Sequence, residues 1–183
     1  DMGVASLRNP VNLAVATWSW GNYYGDAKMK GAKLDVAKWQ RPDPKTAPFE
    51  AKAAGLYMIA TMSKHTAEAN GCSDAMMMDY RGYVAEATGA NIFFVKDGEV
   101  HTPTPDAFLN GLTRQTVIEM LTKMGVKVHE RHILPGELED FSQCWLTGSA
   151  AEITPVGQIG NYNFEVGELT QAVSKNYEQL VRE

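Results

Sequence analysis

Gly82-Tyr83-Val84-Ala85-Glu86-Ala87-Thr88-Gly89-Ala90-Asn91-Ile92-Phe93-Phe94-Val95-Lys96-Asp97-Gly98 decides how the chain folds. Asn91 to Lys96 is dense in β-branched and aromatic residues and reads as a strand. Asp97-Gly98 behind it is the strongest short hairpin signal in the sequence, because both positions of a type I′ turn need positive φ. Tyr83 to Glu86 reads as a further strand, joined by the polar turn Tyr80-Arg81-Gly82 to Ser73 to Asp79. A glycine and small side chains separate Glu86 from Asn91, so these two polar residues belong to neighbouring segments.

Outward from this centre, strands and helices are mixed. Upstream, Glu50 to Ala69 is built of good helix formers and stops at Asn70-Gly71. Arg41 to Pro48 holds three prolines in seven residues, which excludes helix interior and predicts an ordered loop. Lys33 to Ala37 predicts a strand, Gly21 and Gly25 bracket a turn, and Val11 to Trp18 is rich in β-formers and predicts a buried strand. Downstream, Leu112 to Met124 reads as an amphipathic helix ended by Gly125, and Val126 to Ile133 as a strand. Trp145 to Ala150 reads as a strand running into a turn, and Glu168 to Arg182 as a closing helix. Several hairpins among mixed elements predict an α+β (mixed α/β) fold and not a regular doubly wound sheet.

The 183 residues suffice for one domain with a real core. Apolar residues at 44% and charged residues at 21% are ordinary for a globular chain. A net charge of −5 gives no long-range pull on nucleic acid or an anionic membrane. No run approaches the roughly 18 apolar residues of a membrane span. Cys72 and Cys144 lie far apart with no CxxC spacing, which fits a reducing cytoplasm and excludes a disulfide scaffold or a cysteine-rich zinc site. The opening Asp1-Met2-Gly3-Val4 reads as an entry in mid-domain, so a longer parent protein is expected.

Four features carry chemical potential. Lys52 sits among small neighbours in Glu50-Ala51-Lys52-Ala53-Ala54-Gly55-Leu56-Tyr57, at the expected start of a helix, where the dipole favours carboxylates over lysines. A solvated helix lysine is the ordinary alternative. Glu86 lies in a strand otherwise apolar and small, where a carboxylate is either paired with a cation or turned to solvent. Asn110-Gly111-Leu112-Thr113-Arg114 opens a helix, so free N–H groups point outward there. Thr147-Gly148-Ser149-Ala150 is a tight turn with a hydroxyl and glycine-permitted amides. Both features are ordinarily caps and turns; together they can cradle an anion with little lysine or arginine. His129 and His132 fall on opposite faces of their strand and are unsuited to sharing a metal. HExxH, Walker, GxSxG and GxGxxG patterns are absent from the sequence.

Ala51 to Tyr57, Gly82 to Phe93, Gly111 to Arg114 and Thr147 to Val156 together resemble, in order, the motifs of class-IV aminotransferases. These are the fold-type-IV pyridoxal-phosphate enzymes, and the likeness is strongest to branched-chain amino acid aminotransferases. It covers the chain from about Val11 to Arg182. The resemblance implies a pseudo-barrel of mixed strands with flanking helices, as in the larger, C-terminal domain of that family. It implies pyridoxal 5′-phosphate as cofactor, with Lys52 as the catalytic lysine that joins it as a Schiff base and shuttles the proton. Glu86 resembles the carboxylate that pairs with the pyridine nitrogen, and Tyr57 the tyrosine near the phenolic oxygen. Leu112, Thr113 and Ser149 match phosphate-binding positions, with Thr88 and Asn91 as supports around Glu86. Trp20 and Tyr23, with Ser149 and Ala150, resemble residues on the substrate side.

The implied reaction is transamination of branched-chain amino acids with 2-oxoglutarate, in a cytoplasmic homodimer or higher homo-oligomer. The same fold also serves D-amino acid aminotransferases and aminodeoxychorismate lyase, and a fragment that keeps the fold without activity is a further alternative. Two departures stand out. Ala90 replaces a second acidic residue common in the family, and Ser149 replaces a frequent threonine, keeping the hydroxyl. The family's smaller N-terminal domain, which supplies another phosphate-binding arginine and much of the side-chain pocket, has no counterpart in these residues.

Overall fold

The computed structural model describes residues 7–19, 21 and 30–182. Its centre is a nine-stranded mixed sheet. The strands are β1 (Ala32–Val36), β2 (Asp74–Met78), β3 (Val84–Ala87), β4 (Asn91–Lys96), β5 (Glu99–Pro103), β6 (Val128–Arg131), β7 (Gln143–Gly148), β8 (Glu152–Ile159) and β9 (Tyr162–Asn163). Among the described residues, three α-helices of more than one turn accompany them: α1 (Met58–Ala69), α2 (Leu112–Lys123) and α3 (Glu168–Arg182). Spatial order is β3-β2-β1-β8-β7-β4-β5-β6, with β9 on β8.

Connection lengths explain this order. β1 and β2 run parallel, as do β5 and β6, and each pair is joined through a helix, since parallel neighbours need a crossover of that length. Short turns instead give the antiparallel pairs β2–β3, β4–β5 and β7–β8. The β4–β5 turn is the predicted one, with φ of 52° at Asp97 and 75° at Gly98. The two ends of the strand path then meet. Val84 N–H donates to the Ile133 carbonyl just beyond β6 at 2.9 Å, and the curled sheet becomes a pseudo-barrel.

Period-2 alternation along β4 sorts its side chains into two cores. Ile92 and Phe94 join Leu34, Met76, Leu146 and Val156 inside the curl. Phe93 and Val95 point the other way, with Trp145, onto Val117 and Leu121 of α2 and Val173 and Tyr177 of α3. The Phe93 and Trp145 rings stack at 5.5 Å between centroids. Helix α1 covers β2 through Ala60, Ala67, Ala75 and Met77.

Three expectations need correction. Val11 to Trp18 forms no strand. Val11 and Leu13 are 99% and 92% exposed, and β-propensity alone cannot make a strand that pairs with no strand among the described residues. The helix predicted over Glu50 to Ala69 begins later, as a 3₁₀ turn over Ala54–Tyr57 that passes into α1. Pro48 and Gly55 disfavour an earlier start, and no side-chain cap holds one at Ala53. Finally, β6 is shorter than Val126 to Ile133, because only Val128 to Arg131 finds a partner on β5. Helix α3 matches its predicted bounds, and α2 ends one residue short of Met124.

Candidate active site

A cavity of about 560 Å³ opens where the β3–β4 turn, the start of α2 and the β7–β8 turn converge. Its wall includes Lys52 and Tyr57 on one side, Glu86, Thr88 and Asn91 at the sheet, and Leu112, Thr113, Ser149 and Ala150 opposite. Segments far apart in sequence thus deliver to one place every predicted site residue that is described. Trp20 and Tyr23 lie outside the described residues.

Lys52 is not in a helix. It lies in irregular backbone two residues ahead of the 3₁₀ turn, which leaves its side chain free of helical packing and lets it reach Tyr57. Nζ donates to the Tyr57 hydroxyl at 3.0 Å. The expectation of a lysine at a helix start is therefore corrected, and its position before the turn is what gives the amine access to the cavity.

Glu86 is buried on β3, not turned to solvent. Burial pushes its carboxyl up to about 8, against the pull of Arg41 and Lys52. Its Oε1 lies 3.3 Å from Arg41 Nε, an ion pair with both side chains about nine-tenths buried. Its Oε2 accepts a hydrogen bond from Asn91 Nδ2 at 3.3 Å. Both Nδ2 donors of Asn91 are used, since Nδ2 also donates to the Leu109 carbonyl at 2.9 Å, and Oδ1 accepts from Gly111 N–H at 3.1 Å. The amide ties the carboxylate to the residue that caps α2. Thr88, beside them, donates its hydroxyl to the fully buried Asp74 at 2.5 Å.

Both segments expected to cradle an anion line the cavity. Gly111 caps α2 with extended backbone (φ −62°, ψ 144°) and no side-chain cap, so the first N–H groups of the helix, including those of Leu112 and Thr113, have no intrahelical partner. Ser149 and Ala150 form the turn between β7 and β8, which closes through the Gly148–Glu152 pairing. Glu152 takes a φ of 49° to do so.

Two polar side chains of the cavity went unassigned from sequence. Arg41 is 6% exposed and set by its backbone, whose N–H donates to the Met78 carbonyl at 2.8 Å and so continues the β1–β2 ladder. Nothing in its proline-rich surroundings signals a buried cation; an arginine just upstream of the suspect lysine was the only hint. Thr147, inside the quoted turn motif, is 1% exposed with an unpartnered hydroxyl. His129 and His132, as expected, go separate ways, to Glu99 at 2.6 Å and Asp106 at 3.0 Å.

Within the curled mixed sheet, one cavity gathers a lysine amine, a buried carboxylate, the uncapped start of α2 and the β7–β8 turn. The chain belongs to the class-IV amino-transferase family, whose model matches residues 2–159. It is 40% identical over 158 residues to a probable branched-chain-amino-acid aminotransferase of Rickettsia felis, covering 84% of this chain and 54% of that protein. The branched-chain aminotransferase of Thermoproteus uzoniensis, solved with norvaline, superimposes with a TM-score of 0.86 at 34% identity, over 91% of this chain and 55% of that one. An aminotransferase from Brucella abortus bound to the cofactor PLP gives 0.79 at 32% identity, over 84% of this chain and 55% of that one. The chain spans about half the length of the curated relatives it matches.

Proposed function

We propose that this chain is the cofactor-binding domain of a pyridoxal-phosphate aminotransferase acting on branched-chain amino acids with 2-oxoglutarate as the partner acid. The supporting observation is convergence: Lys52, Glu86 and the start of α2 all line one cavity, in a fold shared with branched-chain aminotransferases. The donor set fits such a cofactor. A buried carboxylate suits a protonated ring nitrogen, the Tyr57 hydroxyl suits a phenolic oxygen, and unpartnered helix N–H groups with the Ser149 hydroxyl suit a phosphate. When bound, the cofactor supplies an electron sink for the electrons of the substrate's broken α-bond.

The chain's own residues do the rest. Glu86, held by Arg41 and Asn91, would oppose the positive charge of a protonated ring nitrogen, which in turn would favour the carboxylate form. Lys52 Nζ, steered by the Tyr57 hydroxyl, removes the substrate α-proton and carries it to the cofactor side. The cradle at α2 and the β7–β8 turn fixes the ligand against rotation, so the bond to be broken stays aligned. Amides of Ser149 and Ala150 face the substrate carboxylate. The working unit is a homodimer or higher homo-oligomer in the cytoplasm; the relatives' roughly doubled length supports a parent that adds the rest of the substrate pocket. Among the described residues no helix is long and apolar enough to cross a membrane.

Borohydride treatment of the protein incubated with pyridoxal 5′-phosphate, followed by peptide mass mapping, tests the reading. The expected result is modification confined to the Lys52 peptide, and no modification or transamination in Lys52→Ala. Specific labelling elsewhere with normal turnover in that variant sinks it. Donor profiling with leucine, D-alanine and aminodeoxychorismate then decides the substrate, with leucine expected to react.

A further inference from the structure

Thr147 ends the outward face of β7, and its hydroxyl is the one buried polar side-chain atom of this turn that the fold leaves without a partner. The residue is 1% exposed and lines the cavity, so bulk water is not at hand to satisfy it. A buried hydroxyl without a hydrogen bond is costly, and such an atom in a binding cavity marks a bond that an occupant completes. Its cross-strand neighbour does not serve. Asn91 lies opposite Thr147 in the β4–β7 register, but its amide bonds Glu86, Leu109 and Gly111 and makes no bond to the Thr147 hydroxyl.

Direction follows from register. Strand alternation puts Thr147 on the same face as Trp145, which packs with Val117 and Leu121 of α2. Thr147 and Asn91 therefore stand at the end of the sheet face that α2 covers, and Asn91 there meets Gly111, the cap of that helix. Ser149 follows two residues later, on the turn that borders the same cavity. The register thus brings Thr147 beside the start of α2 and the β7–β8 turn.

Given the cofactor reading above, we propose that the Thr147 hydroxyl donates a hydrogen bond to the ligand's phosphate, making a third contribution beside Ser149 and the N-terminus of α2. A donor that is buried and preformed suits a charged acceptor well, because no protein partner has to be given up when the anion arrives. The hydroxyl then acts on affinity for the phosphate-bearing ligand and leaves the proton transfer at Lys52 alone.

Binding to the full, ligand-free chain tests this, using pyridoxamine 5′-phosphate and pyridoxamine so that covalent attachment to Lys52 plays no part. Thr147→Val is expected to weaken pyridoxamine 5′-phosphate about ten- to a hundredfold, as for loss of a charge-assisted bond, and to change pyridoxamine less than about twofold. Thr147→Ser, which keeps the hydroxyl, is expected to bind within a fewfold of the parent, and Thr147→Ala stands in should the valine variant not fold. Equal binding of pyridoxamine 5′-phosphate by parent and hydroxyl-free variants overturns the proposal, as does an equal loss for both ligands, which places the hydroxyl at the ring. If the parent itself binds neither ligand, the cofactor reading fails as well, so the two failures are distinguishable.

Discussion

Glu86 concentrates the site's electrostatics in one carboxyl. Burial raises its pKa from 4.5 to about 8, although Arg41 stands 3.3 Å away, so the cost of desolvation outweighs one well-placed cation. The sign of the pH effect follows. The folded, ligand-free chain holds this proton more tightly than the unfolded chain, so Glu86 contributes stability that is full below about pH 4.5 and lost as pH rises through about 8. Glu86→Gln removes the titration while keeping an amide in the same volume. Thermal unfolding across pH 5 to 9 is expected to show the parent losing stability toward pH 9 relative to the variant. The expected gap at the alkaline end is about 1–3 kcal/mol, or a few degrees in Tm. A cationic ring nitrogen reverses the balance by favouring the charged carboxylate, so saturating pyridoxal 5′-phosphate should stabilise the parent more than Glu86→Gln at pH 8. Identical pH profiles for the two proteins would show that Glu86 titrates as an ordinary surface acid.

Among the elements, the start of α2 decides whether the two ends of the site act together. Gly111 approaches Asn91 so closely that an added Cβ would sit 2.5 Å from Asn91 Oδ1, nearer than real contacts allow. Glycine is needed here for space and not for a special dihedral, since its φ is an ordinary −62°. Arg114 holds the same first turn from the other side, donating to Asn110 at 2.9 Å, the Pro103 carbonyl at 3.0 Å and Glu130 at 2.7 Å. Gly111→Ala is therefore expected to push the Asn91 amide off Glu86 and cost about 1–2 kcal/mol, despite the better helix propensity of alanine. Calorimetry gives the stability, and a rise in the Kd for pyridoxal 5′-phosphate gives the effect on the site; unchanged values for both would mean that Asn91 gives way freely. What sequence disclosed about such elements depended on range. The Asp97-Gly98 turn, the strand β4 and the helix start at Leu112 are local signals, and each is where it was expected. Lys52, Glu86 and Ser149 were legible as a set through motif order. Arg41 and Thr147 were not, because burial of an arginine by a strand ladder and orphaning of a threonine by cross-strand register are decided by residues tens of positions away. The exposed course of Val11 to Trp18 was illegible for the same reason: composition reports a preference for strand, and only a neighbouring backbone makes one.

At the scale of the whole molecule, one strand joins everything. β4 puts Ile92 and Phe94 inside the curl, Phe93 and Val95 beneath α2 and α3, and Asn91 into the cavity. Closure between Val84 and Ile133 completes the same curl on its far side. Layers that share a strand in this way cannot open independently, because exposing either face of β4 breaks its ladders to β5 and β7. Phe94→Ala tests this from the inside, where the ring packs on Phe141 at 4.9 Å and touches neither helix layer nor cavity. The truncation is expected to cost about 3–5 kcal/mol. Native-state hydrogen exchange distinguishes the outcomes. If the domain is one cooperative unit, the slowest amides of α2 and α3 lose as much protection as those of β4 and β7, since all exchange through the same global opening. If α2 and α3 keep their protection while the barrel strands lose theirs, the outer layer is stable in its own right. The cavity would then sit at a seam between two units, not on the rigid end of one.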